Sequence, residues 1–419
     1  MEHSALETKI NKSYKHQPTT VVTELSPMQK PLVALGILAA IIVLSAIVNV
    51  ADWTKGTLFI IGLLLGCALL YARFGFTSAF RRLVSVGNVQ SLQAHMVMLA
   101  VASVLFAIIF STGFTFTGAE PTGNISPVGV SILVGAFLFG IGMQFGNGCA
   151  SGTLYSLGGG SSSMILTLIS FIAGSVLGAY HFTFWMGLPS LPPLSLNQIP
   201  GLGYLGALVV QLALFALIYW ITIQIAKKKN PPMMKPLPTT VGWKKVLRGS
   251  WPLFTAAIVL ALLNALTLAV KGSPWGITSA FALWGGKAMM ATGVDVSAWG
   301  YFDGKNGEAL TKSVLTDATS VMNFGIILGA FISAAFQGTF KPGKIKPGIA
   351  GASVIGGLLM GYGARLAFGC NIGAYFSGIA SFSLHGWVWG VMAMLGTYLA
   401  LFVRPMFGLK NPKSTDSIC

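Results

Sequence analysis

Ten stretches of this 419-residue chain are apolar for long enough to cross a bilayer, near residues 31–51, 56–72, 92–113, 128–146, 164–186, 203–226, 251–270, 314–338, 347–366 and 386–403. A hydrocarbon core about 30 Å thick takes roughly 20 helical residues to cross. No water is available there to satisfy an exposed backbone, so the segments must be helices. The sequence therefore predicts an all-α integral membrane protein of about ten transmembrane helices. Composition agrees, with 54% hydrophobic and only 9% charged residues, against about 25% charged in soluble domains. The net charge of +16 would suggest nucleic acid in a soluble chain. Here the basic residues fall in the short connections between apolar runs, so they report orientation and no nucleic-acid partner is expected.

The first 30 residues are polar, carry Lys9, Lys12, Lys15 and Lys30, and lack the apolar core of a secretory signal. Read as a cytoplasmic tail, they set an alternation in which every inward connection is basic: Arg73, Arg81 and Arg82; Lys227–Lys229 with Lys235, Lys244, Lys245 and Arg248; Lys341, Lys344 and Lys346; and Arg404, Lys410 and Lys413. The opposite connections hold Asp52 with Lys55, Glu120, an uncharged stretch at 187–203, and a mixed loop with Asp295, Asp303, Lys305, Glu308 and Lys312. This pattern predicts a multi-pass protein of a bacterial inner membrane with both termini cytoplasmic. The expected organisation is a tail (1–30), a first transmembrane half (31–226), a basic linker (227–250), a second half (251–407) and a short tail (408–419). The linker could meet anionic headgroups of the lipid bilayer, although topology alone accounts for its charge.

The halves share two signatures in the same order. GFTSAF at Gly75–Phe80 matches GITSAF at Gly276–Phe281. Leu138–Ser156 then aligns without gaps on Leu359–Ser377, pairing Gly148 with Gly369, Cys149 with Cys370 and Ser156 with Ser377. Ten spans give five per repeat, an odd number, so the second copy must enter the membrane inverted. Inverted repeats place a substrate site near the midplane, where interrupted helices from each copy meet. The expectation is two inverted repeats with short re-entrant half-helices meeting near that plane, hence a transporter or channel.

In FGNGCASGT (Phe145–Thr153) and FGCNIGAYFSG (Phe368–Gly378), closely spaced glycines break a helix at a depth where irregular backbone survives only beside a cavity or buried in protein. Each cysteine should then begin a half-helix, whose free N–H groups attract anions and favour a thiolate. Sulfur is soft and polarisable, so paired thiols suit a sulfur- or selenium-bearing anion. Cys149 and Cys370 are thus the leading site residues, with Gly148, Gly369, Asn147 and Asn371 beside them. Cys67, in mid-helix, reads as packing, and Cys419 lies on the polar C-terminal tail. Arg365 is an intramembrane charge and so a functional candidate, with Gln144 as its counterpart. Gly75, Gly276 and Lys287 are weaker pathway-lining candidates, while His95, His181 and His385 are isolated and carry no assigned role. No CxxC or His-rich spacing indicates a metal or cofactor.

On these two Gly-Cys loops and the TSAF segments before them, the chain resembles the YeeE/YedE family of bacterial sulfur-compound transporters, over most of its length after the first helix. The resemblance implies a pseudo-symmetric inner-membrane permease rather than an enzyme. It also implies thiosulfate as the substrate of the YeeE-like branch and pathway cysteines that touch it through hydrogen bonds, places that Cys149 and Cys370 fill. A cytoplasmic sulfur- or selenium-handling protein is a candidate partner. The chain departs from the family's Arg-x-Cys-Phe-Thr pattern, reading Arg73-Phe74-Gly75-Phe76-Thr77, so a line of three thiols is cut to two. This departure is similar to the YedE-type branch, which is linked to selenium metabolism. The competing class is a membrane thiol-disulfide oxidoreductase that cycles Cys149 and Cys370, although no acidic partner or CxxC favours it.

Overall fold

The computed structural model describes residues 26–234 and 242–416. The rest of the N-terminal tail, Lys235 in the linker, and Cys419 lie outside the described residues. Among those described, ten helices are long and apolar enough to cross a membrane, and the only sheet is a two-residue pairing of Val128–Gly129 with Ser190–Leu191. The helices are α1 (Lys30–Val50), α2 (Trp53–Ala72), α3 (Phe76–Val86), α4 (Gln90–Thr112), α5 (Val130–Phe145), α6 (Ala150–Gly158), α7 (Ser163–Tyr180), α8 (Gly203–Lys229), α9 (Leu253–Lys271), α10 (Thr278–Ala291), α11 (Ala318–Gln337), α12 (Pro347–Leu366) and α13 (Leu384–Val403). The chain is thus an all-α, multi-pass membrane protein.

Local chemistry sets the boundaries. The Asp52 carboxylate accepts from the Lys55 backbone N–H at 2.8 Å and starts α2, and Asp317 caps α11 from Ser320 at 2.7 Å. Pro347 opens α12, where its missing N–H costs nothing. Helix α2 stops where Arg73 turns left-handed at φ 45° and restarts as α3 behind an extended Gly75. The sequence pattern ends its spans at 72 and 270 and leaves both TSAF segments in connections; that they form the further helices α3 and α10 is what it did not show.

Packing follows the repeat. Helix α11 lies on α2 as α4 lies on α9; α12 lies on α7 as α5 lies on α13; α10 lies on α7 as α3 lies on α13; and α5 meets α12 while α2 meets α9. Exchanging the halves maps each of these contacts onto another or onto itself. In lipid, helices gain little from the hydrophobic effect between them, so small residues that permit close approach carry the association. A Cβ on Gly142 of α5 would stand 2.7 Å from the carbonyl oxygen of Gly356 on α12, which leaves no room for a side chain at that crossing. The α5–α12 pair in turn brings the segments that follow them, both ending in Gly-Cys, to the centre of the bundle.

Candidate functional site

Both Gly-Cys loops use the same backbone. After α5, Asn147 is left-handed (φ 55°) and Cys149 is extended (φ −85°, ψ −170°) before α6 begins at Ala150. After α12, the aligned Phe368 is left-handed (φ 56°) and Cys370 is extended (φ −117°, ψ −166°) before a wide helical segment at Asn371–Ser377. Left-handed non-glycine residues are uncommon, and their recurrence at aligned positions makes the repeat a property of the backbone as well as of the sequence. The copies diverge just beyond. The Cys149 carbonyl accepts from Thr153 at 2.7 Å, whereas that of Cys370 accepts from both Ala374 at 2.9 Å and Tyr375 at 3.3 Å, widening that turn.

The cysteines are brought together. Helix α6, which starts after Cys149, touches the Asn371–Ser377 segment, which starts after Cys370. The Cys370 sulfur accepts from the Ile372 N–H at 3.4 Å, and the Cys149 sulfur sits 3.3 Å from the Ser151 hydroxyl. Neither is open to solvent, at 1% and 0% exposure. Both belong to the central apolar cluster.

A cavity of about 430 Å³ reaches down to the second of these loops. Its walls come from Ser273–Ser279 ahead of and into α10, from Asn124 and Ser126, from Tyr301, and from Arg365, Gly369 and Gly373. Glycines create the space: a Cβ on Gly276 would meet nothing within 4 Å, and one on Gly373 only the Asn124 amide nitrogen at 4.0 Å. Cys370, next to Gly369 in the chain, is buried and does not itself line the cavity. The wall is cross-tied, since Asn124 Nδ2 donates to the Gly373 carbonyl at 2.6 Å. Asn264 accepts from the Trp275 N–H at 2.9 Å and donates to Ser377 Oγ, which donates back to the Trp275 carbonyl.

Arg365 supplies the charge. It is 5% exposed, and among the described residues it pairs with no carboxylate, the ion pairs there being Lys55–Asp52 and Lys312–Glu308. Its Nη1 donates to the Tyr301 hydroxyl, the guanidinium carbon stands 5.1 Å from the Tyr301 ring centroid, and its Nε–H is buried without an acceptor. The indole N–H of Trp275, another lining residue, is also buried without an acceptor. A buried charge left this incompletely satisfied is costly, and donors of this kind fit an anion.

Gln144 occupies the opposite end of the bundle. It is fully buried; its amide donates to the Thr77 carbonyl and to Thr397 Oγ1, both at 3.2 Å. Its side-chain oxygen accepts from Arg81 at 3.4 Å, and its backbone carbonyl accepts from Arg404. Arg81 also reaches the exposed Asn147 at 3.4 Å.

Residues 71–399 match the family model described as Sulphur transport. The chain belongs to this sulfur-transport family. It is 34% identical over 149 residues to the Probable transporter YedE of Escherichia coli, a match covering 35% of this chain and only 36% of that relative's length. It is 27% identical to the Thiosulfate transporter TsuA of Spirochaeta thermophila, over 84% of this chain and 98% of the relative. To TsuA of Escherichia coli it is 26% identical, over 83% and 94%. A transporter of sulfur compounds, rather than an enzyme, is the class these relationships support.

Within this sulfur-transport chain the sequence candidates separate into groups. Arg365, Gly369 and Gly276 line the cavity, Cys370 adjoins Gly369, and Gly148 precedes Cys149 in the first turn. Asn371 is buried, with its amide nitrogen 3.8 Å from the Met143 sulfur and its oxygen unpartnered. Gln144 and Asn147 stand away with Arg81, and Gly75 caps α3. Lys287 is outside the lining, its ammonium donating to the carbonyls of Leu310 and Lys312 at 2.6 Å each. Tyr301, Trp275, Asn124, Arg81 and Arg404 were missed. Tyr301 and Asn124 sit in polar connections with no motif around them, whereas Arg81 follows the TSAF repeat directly and could have been weighed for more than orientation.

Proposed function

We propose that this chain takes up a small sulfur-containing anion such as thiosulfate, or a selenium analogue, across a bacterial inner membrane through a central route lined by its paired Gly-Cys loops. The supporting observation is Arg365: a buried guanidinium without a carboxylate, on the wall of a 430 Å³ cavity that ends at Gly369, next to Cys370. With the termini cytoplasmic, the cavity opens outward and Arg365 draws the anion in. The two thiols offer weak donors and a polarisable surface over which it passes to Asn147 and Arg81 on the inner side. The inverted relation of the halves gives the route its matching ends, and the relatives named as thiosulfate transporters give the substrate class. The cavity is closed toward Cys370, so passage requires the Phe368–Ser377 segment to move. Bringing two charges into a negative cytoplasm costs about 2.3 kcal/mol per charge per 100 mV. Net uptake thus requires a coupled ion or rapid consumption by a cytoplasmic sulfur- or selenium-handling partner.

Growth of an uptake-deficient host on thiosulfate as sole sulfur source, with the unaltered chain, Cys149→Ser, Cys370→Ser and Arg365→Ala, tests the reading, and selenite uptake is followed in parallel. All three variants should be impaired at equal membrane levels. Normal growth of both serine variants would remove the thiols from the route. An oxidoreductase would instead show a change in thiol alkylation during turnover.

A further inference from the structure

The second half contains something the first lacks. Between α3 and α4 the chain has only residues 87–89, but between α10 and α11 it has 292–317. This longer connection forms a tight turn at Gly300–Phe302 and a short helix at Lys305–Thr311. It is not loosely held. Phe302 is 3% exposed and packs with Ala179, Leu283, Val296 and Leu310, and Lys287 grips the carbonyls of Leu310 and Lys312. The one side chain this packed loop extends to the buried charge is Tyr301, edge-on to Phe182 with centroids 5.3 Å apart and hydrogen-bonded to Arg365.

A phenol is a weak substitute for an anion. It is neutral, offers one oxygen, and leaves the Arg365 Nε–H without an acceptor. A tetrahedral dianion presents several charged acceptors to the same fork, and charge-assisted bonds are about twice as strong as neutral ones. We propose that Tyr301 is a displaceable ligand of Arg365: the incoming anion takes the hydroxyl's place, and the residue thereby sets which anions enter. Dianions with several oxygens displace it, while monoanions compete poorly. This inference rests on the uptake reading above.

The test uses the full chain in proteoliposomes. Tyr301→Phe keeps the ring and its packing but removes the competing hydroxyl. The half-saturating thiosulfate concentration should fall about threefold to tenfold, the range for loss of one ordinary net hydrogen bond, with maximal rate unchanged. The monoanion thiocyanate should become a stronger inhibitor relative to sulfate. A second readout needs no transport: in a Cys67→Ala, Cys419→Ala background, an anionic methanethiosulfonate should label Cys370 faster in Tyr301→Phe and faster still in Tyr301→Ala, with the site read by mass spectrometry. Unaltered half-saturation together with an unaltered labelling rate in Tyr301→Phe overturns the proposal and leaves the uptake reading standing. Faster labelling that thiosulfate does not slow keeps Tyr301 as the gate and counts against thiosulfate as the occupant.

Discussion

At Asn147–Cys149 and again at Phe368–Cys370 the chain makes one turn twice, with a left-handed residue and then an extended cysteine, yet the surroundings of the two turns have little in common. Near the first, Gln144 is bonded through both side-chain atoms and its carbonyl. Near the second, donors are left over: Arg365 lacks a carboxylate and Trp275 lacks an acceptor. A repeat duplicates backbone, because backbone geometry is what both copies need to break a helix inside the membrane. The polar surroundings differ, because only the second turn lines the cavity, while at the first Arg81 is bonded to Gln144 and Asn147.

The largest effect should come from the turn itself. Gly369 has φ 145°, and a Cβ there would stand 2.8 Å from the Ala374 nitrogen, whereas a Cβ on Gly148 would meet its nearest neighbour at 3.3 Å. Gly369→Ala is expected to abolish transport or cut it by about 100-fold, as strain of about 1–3 kcal/mol adds to displacement of the segment beside Cys370. Gly148→Ala should retain most activity. Radiolabelled thiosulfate uptake normalised to membrane content reads both, and equal losses would mean that the two loops are constrained alike.

Charge comes next. Arg365→Ala should raise the half-saturating anion concentration by about 10- to 100-fold, the loss of a charge-assisted contact of about 1.5–3 kcal/mol, and Arg365→Lys should recover part of it. Gln144→Leu should leave that concentration unchanged and lower thermal stability by about 1–3 kcal/mol, because it strips partners from buried groups. A change in anion affinity with Gln144→Leu would show that the amide does share the route. Cys370→Ser, beside the cavity, should reduce uptake by about tenfold through loss of a polarisable contact, and Cys149→Ser by less. The reverse order would place the tighter thiol contact on the inner loop.

The ten spans and the two aligned Gly-Cys turns were legible because hydropathy and glycine spacing act locally along the chain. That Arg365 needs a partner was also legible, since a charge in an apolar run must be satisfied. Which partner was not: Tyr301 lies 64 positions away in a polar connection of ordinary composition. Gln144 shows the opposite failure. Alignment placed it as the counterpart of Arg365, but its fate was decided by Arg81, opposite which the second TSAF segment has Ala282, and by Arg404, which comes from the end of the other half.

The smallest expected effect isolates the loop that makes the halves unequal. Lys287 touches neither cavity nor cysteine and holds the 292–317 connection by two carbonyls. In Lys287→Met the aliphatic stem remains and the two bonds are lost, while Phe302 and Leu310 keep the loop packed. Tyr301 should then leave Arg365 slightly more readily, shifting the half-saturating thiosulfate concentration about twofold downward, a fraction of what one net hydrogen bond is worth. Combining Lys287→Met with Tyr301→Phe should add nothing further, because both changes act on the same contact. Additive shifts would mean that the lysine acts on the route independently of Tyr301, and the asymmetry between the halves would then have two separate sources.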